Sequence, residues 1–214
     1  TDSFAIDDDT SSAQGHGTRI ASIVAANATV TGIAPGANLV AIKTFDRDRS
    51  ALVSDTIAAI DYCVANRSLF NVASISMSFG TSLLYSGACD STSAYTAAVN
   101  AAVAANVTPV AATGNAGSTA GISEPACVTN VTSVGSTTKT FGMSAFSNRN
   151  GITDLVAPGS SITSLQRQGT ASSSSGTSYS APLVAGAVAL LQQYKTFERG
   201  YPLSPSEVQN TLIS

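Results

Sequence analysis

The chain has 214 residues, 43% of them hydrophobic and 11% charged, and its mean hydropathy is +0.20. That balance points to a large buried sheet and away from an extended or disordered chain. The net charge of −3 comes without a basic stripe, which argues against a nucleic-acid partner, and no run approaches the ~20 apolar residues of a membrane helix.

In chain order, the first pattern is Gly15-His16-Gly17-Thr18 followed by Ile20, Ala21, Ile23 and Val24 at helical spacing. Residues 39–42 (Leu-Val-Ala-Ile) read as a strand and 54–66 as a helix. A strand over 72–79 follows, then an alanine-rich helix over 93–106, then strands over 107–112, 131–135 and 155–157. A long helix is expected over about 180–194. Ser204 and Pro205 read as the N-cap and first position of another helix. Continuous apolar strands alternating with helices predict an α/β fold, a mostly parallel sheet with helices on both faces, and one domain over 1–214. Such sheets place functional residues at the carboxyl ends of strands and at the helix starts that follow.

Three cysteines leave one thiol over if any pair forms. Cys89 and Cys127 lie in loop-like stretches where a crosslink fits, whereas Cys63 falls in the helical pattern and reads as a small buried hydrophobe. No spacing suits zinc. The Asn-x-Ser/Thr triplets at Asn27, Asn66, Asn106 and Asn130 are accounted for by the abundance of those residue types. No signal peptide is visible, which fits a processed chain or fragment as well as a cytosolic one.

Three segments carry chemistry. His16 is the sole histidine, and two small neighbours at a helix start would open its imidazole to a substrate and to a second side chain, as a general base requires. A structural histidine is the alternative. In Gly176-Thr177-Ser178-Tyr179-Ser180-Ala181-Pro182 a serine stands where a glycine turn enters a helix, so its hydroxyl is held out near the first amides. Ser178 is otherwise one more serine after the serine-rich 171–175. In Ala111-Ala112-Thr113-Gly114-Asn115 a strand of small residues ends in a turn tipped by an amide, which suits an oxyanion donor, or simply a turn asparagine.

Together these segments resemble the subtilase family of serine peptidases, and the likeness covers nearly the whole chain. His-Gly-Thr, Gly-Asn and Gly-Thr-Ser-x-x-Ala-Pro occur in the family's order. So do Gly32-Ile33-Ala34-Pro35-Gly36, Ile75-Ser76-Met77-Ser78-Phe79-Gly80, Val134-Gly135-Ser136 and Asp154-Leu155-Val156-Ala157-Pro158-Gly159. The resemblance implies the three-layer subtilisin-like fold and a secreted endopeptidase cleaving proteins or peptides. Ser178 is then the nucleophile, His16 the base and Asn115 the oxyanion donor. It also implies Ser78, Phe79 and Gly80 as a substrate-pairing edge, with Ala111, Ala112, Thr113 and Gly114 as part of the pocket wall. No cofactor is implied for catalysis. A structural calcium suits the family, with Asp154 as a candidate, although 25–32 is too short for the calcium loop of some subtilisins. A monomer, a propeptide and a Cys89–Cys127 disulfide are further expectations.

The family's triad acid is missing from its usual place, an Asp-Thr/Ser-Gly turn about thirty residues before the histidine. Asp7, Asp8 and Asp9 correspond to the loop between the acid and His-Gly-Thr, which puts the acid before Thr1; Asp7 itself is the alternative. Both ends of the chain read as cut, with a central strand and the end of the last helix outside it. Two rivals follow. One is a subtilase-fold pseudoenzyme acting as a binding module; the other, an acid peptidase of sedolisin type, would need a Glu/Asp pair where His16 stands.

Overall fold

The computed structural model describes residues 15–214, so Asp7 to Asp9 lie outside the described residues. Helix α1 spans His16–Ala25, α2 Val53–Ala65 and the one-turn α3 Arg67–Phe70. Then come β1 (Ser74–Met77), β2 (Leu84–Tyr85), α4 (Thr96–Ala104), β3 (Thr108–Ala112), β4 (Ile122–Ser123), β5 (Thr132–Thr137) and β6 (Leu155–Pro158). A hairpin of β7 (Ile162–Leu165) and β8 (Ala171–Ser174) leads into α5 (Thr177–Arg199) and α6 (Pro205–Ile213).

The principal sheet has the order β1-β3-β5-β6, and every pairing in it is parallel. Met77 stands opposite Ala111, and Val134 opposite Leu155. Side chains alternate across such a sheet, and two cores result. Ala111 joins Ile60, Met77, Tyr95, Val99 and Ile122 in the core beneath α2 and α4. Its strand neighbours Val110 and Ala112 turn the other way, to Val134, Ala181, Val184 and Val188 beneath α5. The expected α/β fold with helices on both faces is therefore present.

The elements differ from the sequence reading where local hydrogen bonds intervene. The alanine-rich helix begins at Thr96 rather than 93; the residues before it form a turn in which the Ser93 amide bonds Cys89 O at 2.8 Å and the Tyr95 amide bonds Ser93 Oγ at 3.2 Å. The long helix starts three residues early, at Thr177, and runs on to Arg199.

Residues 39–42 are not a strand. Leu39, Val40 and Ile42 are 48%, 38% and 37% exposed, and the segment joins no sheet among the described residues. An extended segment becomes a strand only with a ladder partner. Among the described residues the nearby β1 is an edge of the sheet, paired to β3 alone. A cleft of about 1600 Å³ is lined by both segments, by Ala185 and Ala189 of α5, and by His16 and Ser178.

Cys89 and Cys127 are bonded, closing a loop of sequence separation 38. Cys63 is buried and unpaired, and burial pushes its thiol pKa up, which disfavours the reactive thiolate. At α6 the expected Ser204 cap is present as a reciprocal box. Ser204 Oγ accepts from the Glu207 amide at 3.3 Å, while Glu207 Oε2 accepts from the Ser204 amide at 2.8 Å.

Two outcomes test this account. Replacing Cys89 and Cys127 by alanine is expected to lower unfolding stability by about 3–4 kcal/mol, measured by denaturant titration, given the loop it releases. The Glu207 carboxyl is held below the usual glutamate range, first by the Ser204 backbone amide and then by the Ser204 hydroxyl. A depressed carboxylate stabilises the fold above its unfolded-state pKa, and that contribution is lost as pH falls through the folded-state value. Melts between neutral and acid pH should show a decline that is shallower in Glu207→Gln.

Candidate active site

Gly15 sets up the first functional group. Its φ of 86° lies in the left-handed region, which a Cβ disfavours, and the helix starts immediately after it with His16. The imidazole is half-buried and lies edge-on to the Tyr179 ring, with centroids 6.3 Å apart and planes at 81°. One turn on, Arg19 is buried. Its guanidinium donates to Ser164 Oγ at 3.3 Å, Gln166 Oε1 at 2.8 Å, and Ser172 Oγ and O at 2.6 and 3.3 Å. These bonds tie the β7–β8 hairpin to α1 below the histidine.

Ser178 is the second residue of α5, where the first amides have no acceptor within the helix. Its hydroxyl donates to Ser78 O at 3.2 Å, and the Ser78 hydroxyl donates back to Ser178 O at 2.9 Å. Pro182 explains the second bond. The residue four positions after Ser178 has no N–H to offer its carbonyl, so that carbonyl is left open inside a helix. Ser78 takes it. The motif serine, the motif proline and the residue following β1 are thereby linked.

Asn115 stands at the turn after β3, and its amide is oriented by a residue the sequence reading did not single out. Thr177, fully buried, donates to Asn115 Oδ1 from its backbone N at 2.8 Å and from Oγ1 at 3.0 Å. With Oδ1 accepting twice, the other amide atom is Nδ2, a donor with no protein acceptor among the described residues. Thr177 Oγ1 also accepts from the Gly114 amide at 3.2 Å. The signal for Thr177 was in the sequence: a hydroxyl directly before the candidate nucleophile in Gly-Thr-Ser.

The structure thus brings His16, Ser178, Ser78, Phe79 and Gly80 to one cleft. Ala111 and Ala112 are buried within β3, and Thr113 is buried at its end, with Oγ1 donating to Asn148 O at 2.7 Å. These three support the site more than they line it. Asp154 is engaged elsewhere: its Oδ2 accepts from Ser133 N at 2.8 Å and Ser133 Oγ at 2.7 Å, joining β5 to the start of β6. Among the described residues no group of three or more His, Cys, Asp or Glu could hold a metal ion.

A twin-faced parallel sheet, with a serine and a histidine at two helix starts on a shared cleft, is the form of an α/β serine hydrolase. The chain belongs to the subtilase family, peptidase S8, whose pattern it matches over residues 3–214. It is 36% identical over 208 residues to alkaline serine exoprotease A of Vibrio alginolyticus, covering 97% of this chain and 36% of that protein. It is 39% identical to the extracellular serine proteinase of a Thermus species, covering 93% of this chain and 45% of the relative. Subtilisin DY of Bacillus licheniformis is 37% identical, with 94% and 69% covered. The chain therefore spans less than half the length of the first two. Among solved structures, a cold-adapted subtilisin-like serine proteinase superposes with a TM-score of 0.78 at 30% identity, over 95% of this chain and 68% of that one. The prenylagaramide maturation protease PagA does so with a TM-score of 0.81 at 30% identity, over 92% and 70%. No described helix is long and apolar enough to cross a membrane.

Removing either hydroxyl that frames the site should register. Ser78→Ala leaves the Ser178 carbonyl without its donor and is expected to lower stability by about 1 kcal/mol. Thr177→Val, similar in volume, removes the hydroxyl bond to Asn115 Oδ1 and the acceptor of the Gly114 amide while keeping the backbone bond at 2.8 Å, and should shift the Asn115 side-chain and Gly114 amide resonances by NMR.

Proposed function

We propose that this chain is the catalytic domain of a serine endopeptidase that hydrolyses peptide bonds in protein substrates, secreted as its named extracellular relative is. The carrying observation is Ser178 at the start of α5, on one cleft with His16 and beside an asparagine whose amide Thr177 orients.

In this reading the imidazole of His16 takes the proton of Ser178 Oγ as that oxygen attacks the scissile carbonyl. The hydroxyl must then leave its bond to Ser78 O, a weak one at 3.2 Å. The carbonyl oxygen becomes an oxyanion, which Asn115 Nδ2 and the Ser178 amide stabilise. His16 returns the proton to the leaving amine, and a water repeats the sequence to release the acyl group. Ser78, Phe79 and Gly80 follow the edge strand β1 and pair with an extended substrate backbone. Pairing of that kind gives affinity with broad tolerance of side chains. The triad of this reading is completed by a carboxylate that orients His16 and stabilises its imidazolium. No metal takes part in these steps.

Fluorophosphonate labelling tests the reading. The chain should be labelled at Ser178, and Ser178→Ala should abolish the adduct. Asn115→Ala should lower kcat on a peptide substrate by about 10²–10³, the loss found in subtilisin when its oxyanion asparagine is removed. No labelling and no peptide hydrolysis would sink the proposal and leave a subtilase-fold binding module.

A further inference from the structure

We infer that Asn148 is a positioning residue for the reaction: it holds the 113–118 loop so that the Asn115 amide stays on the developing oxyanion. The inference rests on the oxyanion role proposed for Asn115.

Asn148 lies between β5 and β6, remote in sequence from the loop it serves, and is 1% exposed. Its side chain spends its bonding capacity on that loop. Oδ1 accepts from the Ala116 amide at 2.9 Å and the Ser118 amide at 3.0 Å, while Nδ2 donates to Thr113 O at 3.1 Å. Its backbone adds two more links: its N–H donates to Gly114 O at 2.9 Å, and its carbonyl accepts from Thr113 Oγ1 at 2.7 Å. Gly114 has a φ of 103°, and a Cβ there would stand 2.4 Å from Asn148 Nδ2. The carboxamide is thus packed directly against the residue preceding Asn115.

Two inward-facing amides two residues apart need a single acceptor between them, and a buried amide without one is costly. The loop has no ladder to supply that acceptor. A carboxamide can serve both amides and still donate to the strand end, which an ionised aspartate, having no donor, cannot do. Asn115 is consequently held from two sides. Thr177 fixes its side chain, and Asn148 fixes the backbone that carries it. Preorganised donors stabilise an oxyanion only while they stay put, and a displacement of about 1 Å in a reacting group can cost about 10²-fold.

A double-mutant cycle tests this through kcat and KM on a peptide substrate. Asn148→Ala is expected to lower kcat by about 10–10²-fold with KM little changed. Combined with Asn115→Ala, it should add almost nothing, since the group it positions is gone. A general weakening of the fold would instead multiply the two losses. Full kcat in Asn148→Ala, or losses that multiply, overturns the inference while leaving Asn115 as donor. An Asn115→Ala variant with wild-type kcat overturns the oxyanion reading itself. Should Asn148→Ala fail to fold, Asn148→Ser carries the same cycle. If the wild-type chain turns nothing over, hydrogen exchange decides. Deprotection of 113–118 without deprotection of β3 and β5 supports the clamp, and unchanged exchange refutes it.

Discussion

The first turn of α5 is the constraint around which the site is arranged. A helix start leaves amides without acceptors, and Pro182 opens a carbonyl as well, so one turn presents unmet backbone groups of both kinds. Each is met from a different part of the sheet. Ser78, just past β1, takes the Ser178 carbonyl; Asn115, just past β3, takes the Thr177 amide. Because β1 and β3 are neighbouring parallel strands, their carboxyl ends lie side by side over the helix that meets them. The convergence is a property of parallel α/β sheets, which collect functional groups at that edge.

Rigidity increases away from the substrate. The Asn115 tip is exposed, whereas Thr113, Thr177 and Asn148 are buried: the side chains of Thr113 and Asn148 donate to each other's carbonyls, and Thr177 Oγ1 joins the Gly114 amide to Asn115 Oδ1. Arg19 gives α1 a comparable anchor through the β7–β8 hairpin. The groups proposed to touch substrate are therefore few and short, and the precision of their placement comes from polar residues that a substrate never meets.

Some of this was legible in residues alone. The glycines around His16, the serine at a glycine turn and the small-residue strand before Asn115 pointed to three segments of one site, since each is a local requirement for an exposed reactive group. The Ser204 cap was legible for the same reason, because capping is decided within four residues. Thr177 and Asn148 were passed over. A hydroxyl before the candidate nucleophile was a signal for Thr177, but neither it nor an asparagine in a loop says locally which group it will meet, and their importance lies in contacts 62 and 30–35 positions away. The apolar run 39–42 misled for the converse reason: its strand propensity was real, but a strand needs an edge to join.

The sequence by itself determined the class of fold, the faces of the helices and the identity of the reactive groups. Periodicity, turn chemistry and side-chain pKa are properties of short segments. Only the tertiary structure decided which polar side chains saturate which orphaned backbone groups. It also decided that Ser78 serves the Ser178 carbonyl, and that the β1 edge and segment 39–45 face a common cleft. Those are matters of parallel strand order, which brings residues about a hundred positions apart into hydrogen-bonding distance and leaves no trace in local composition.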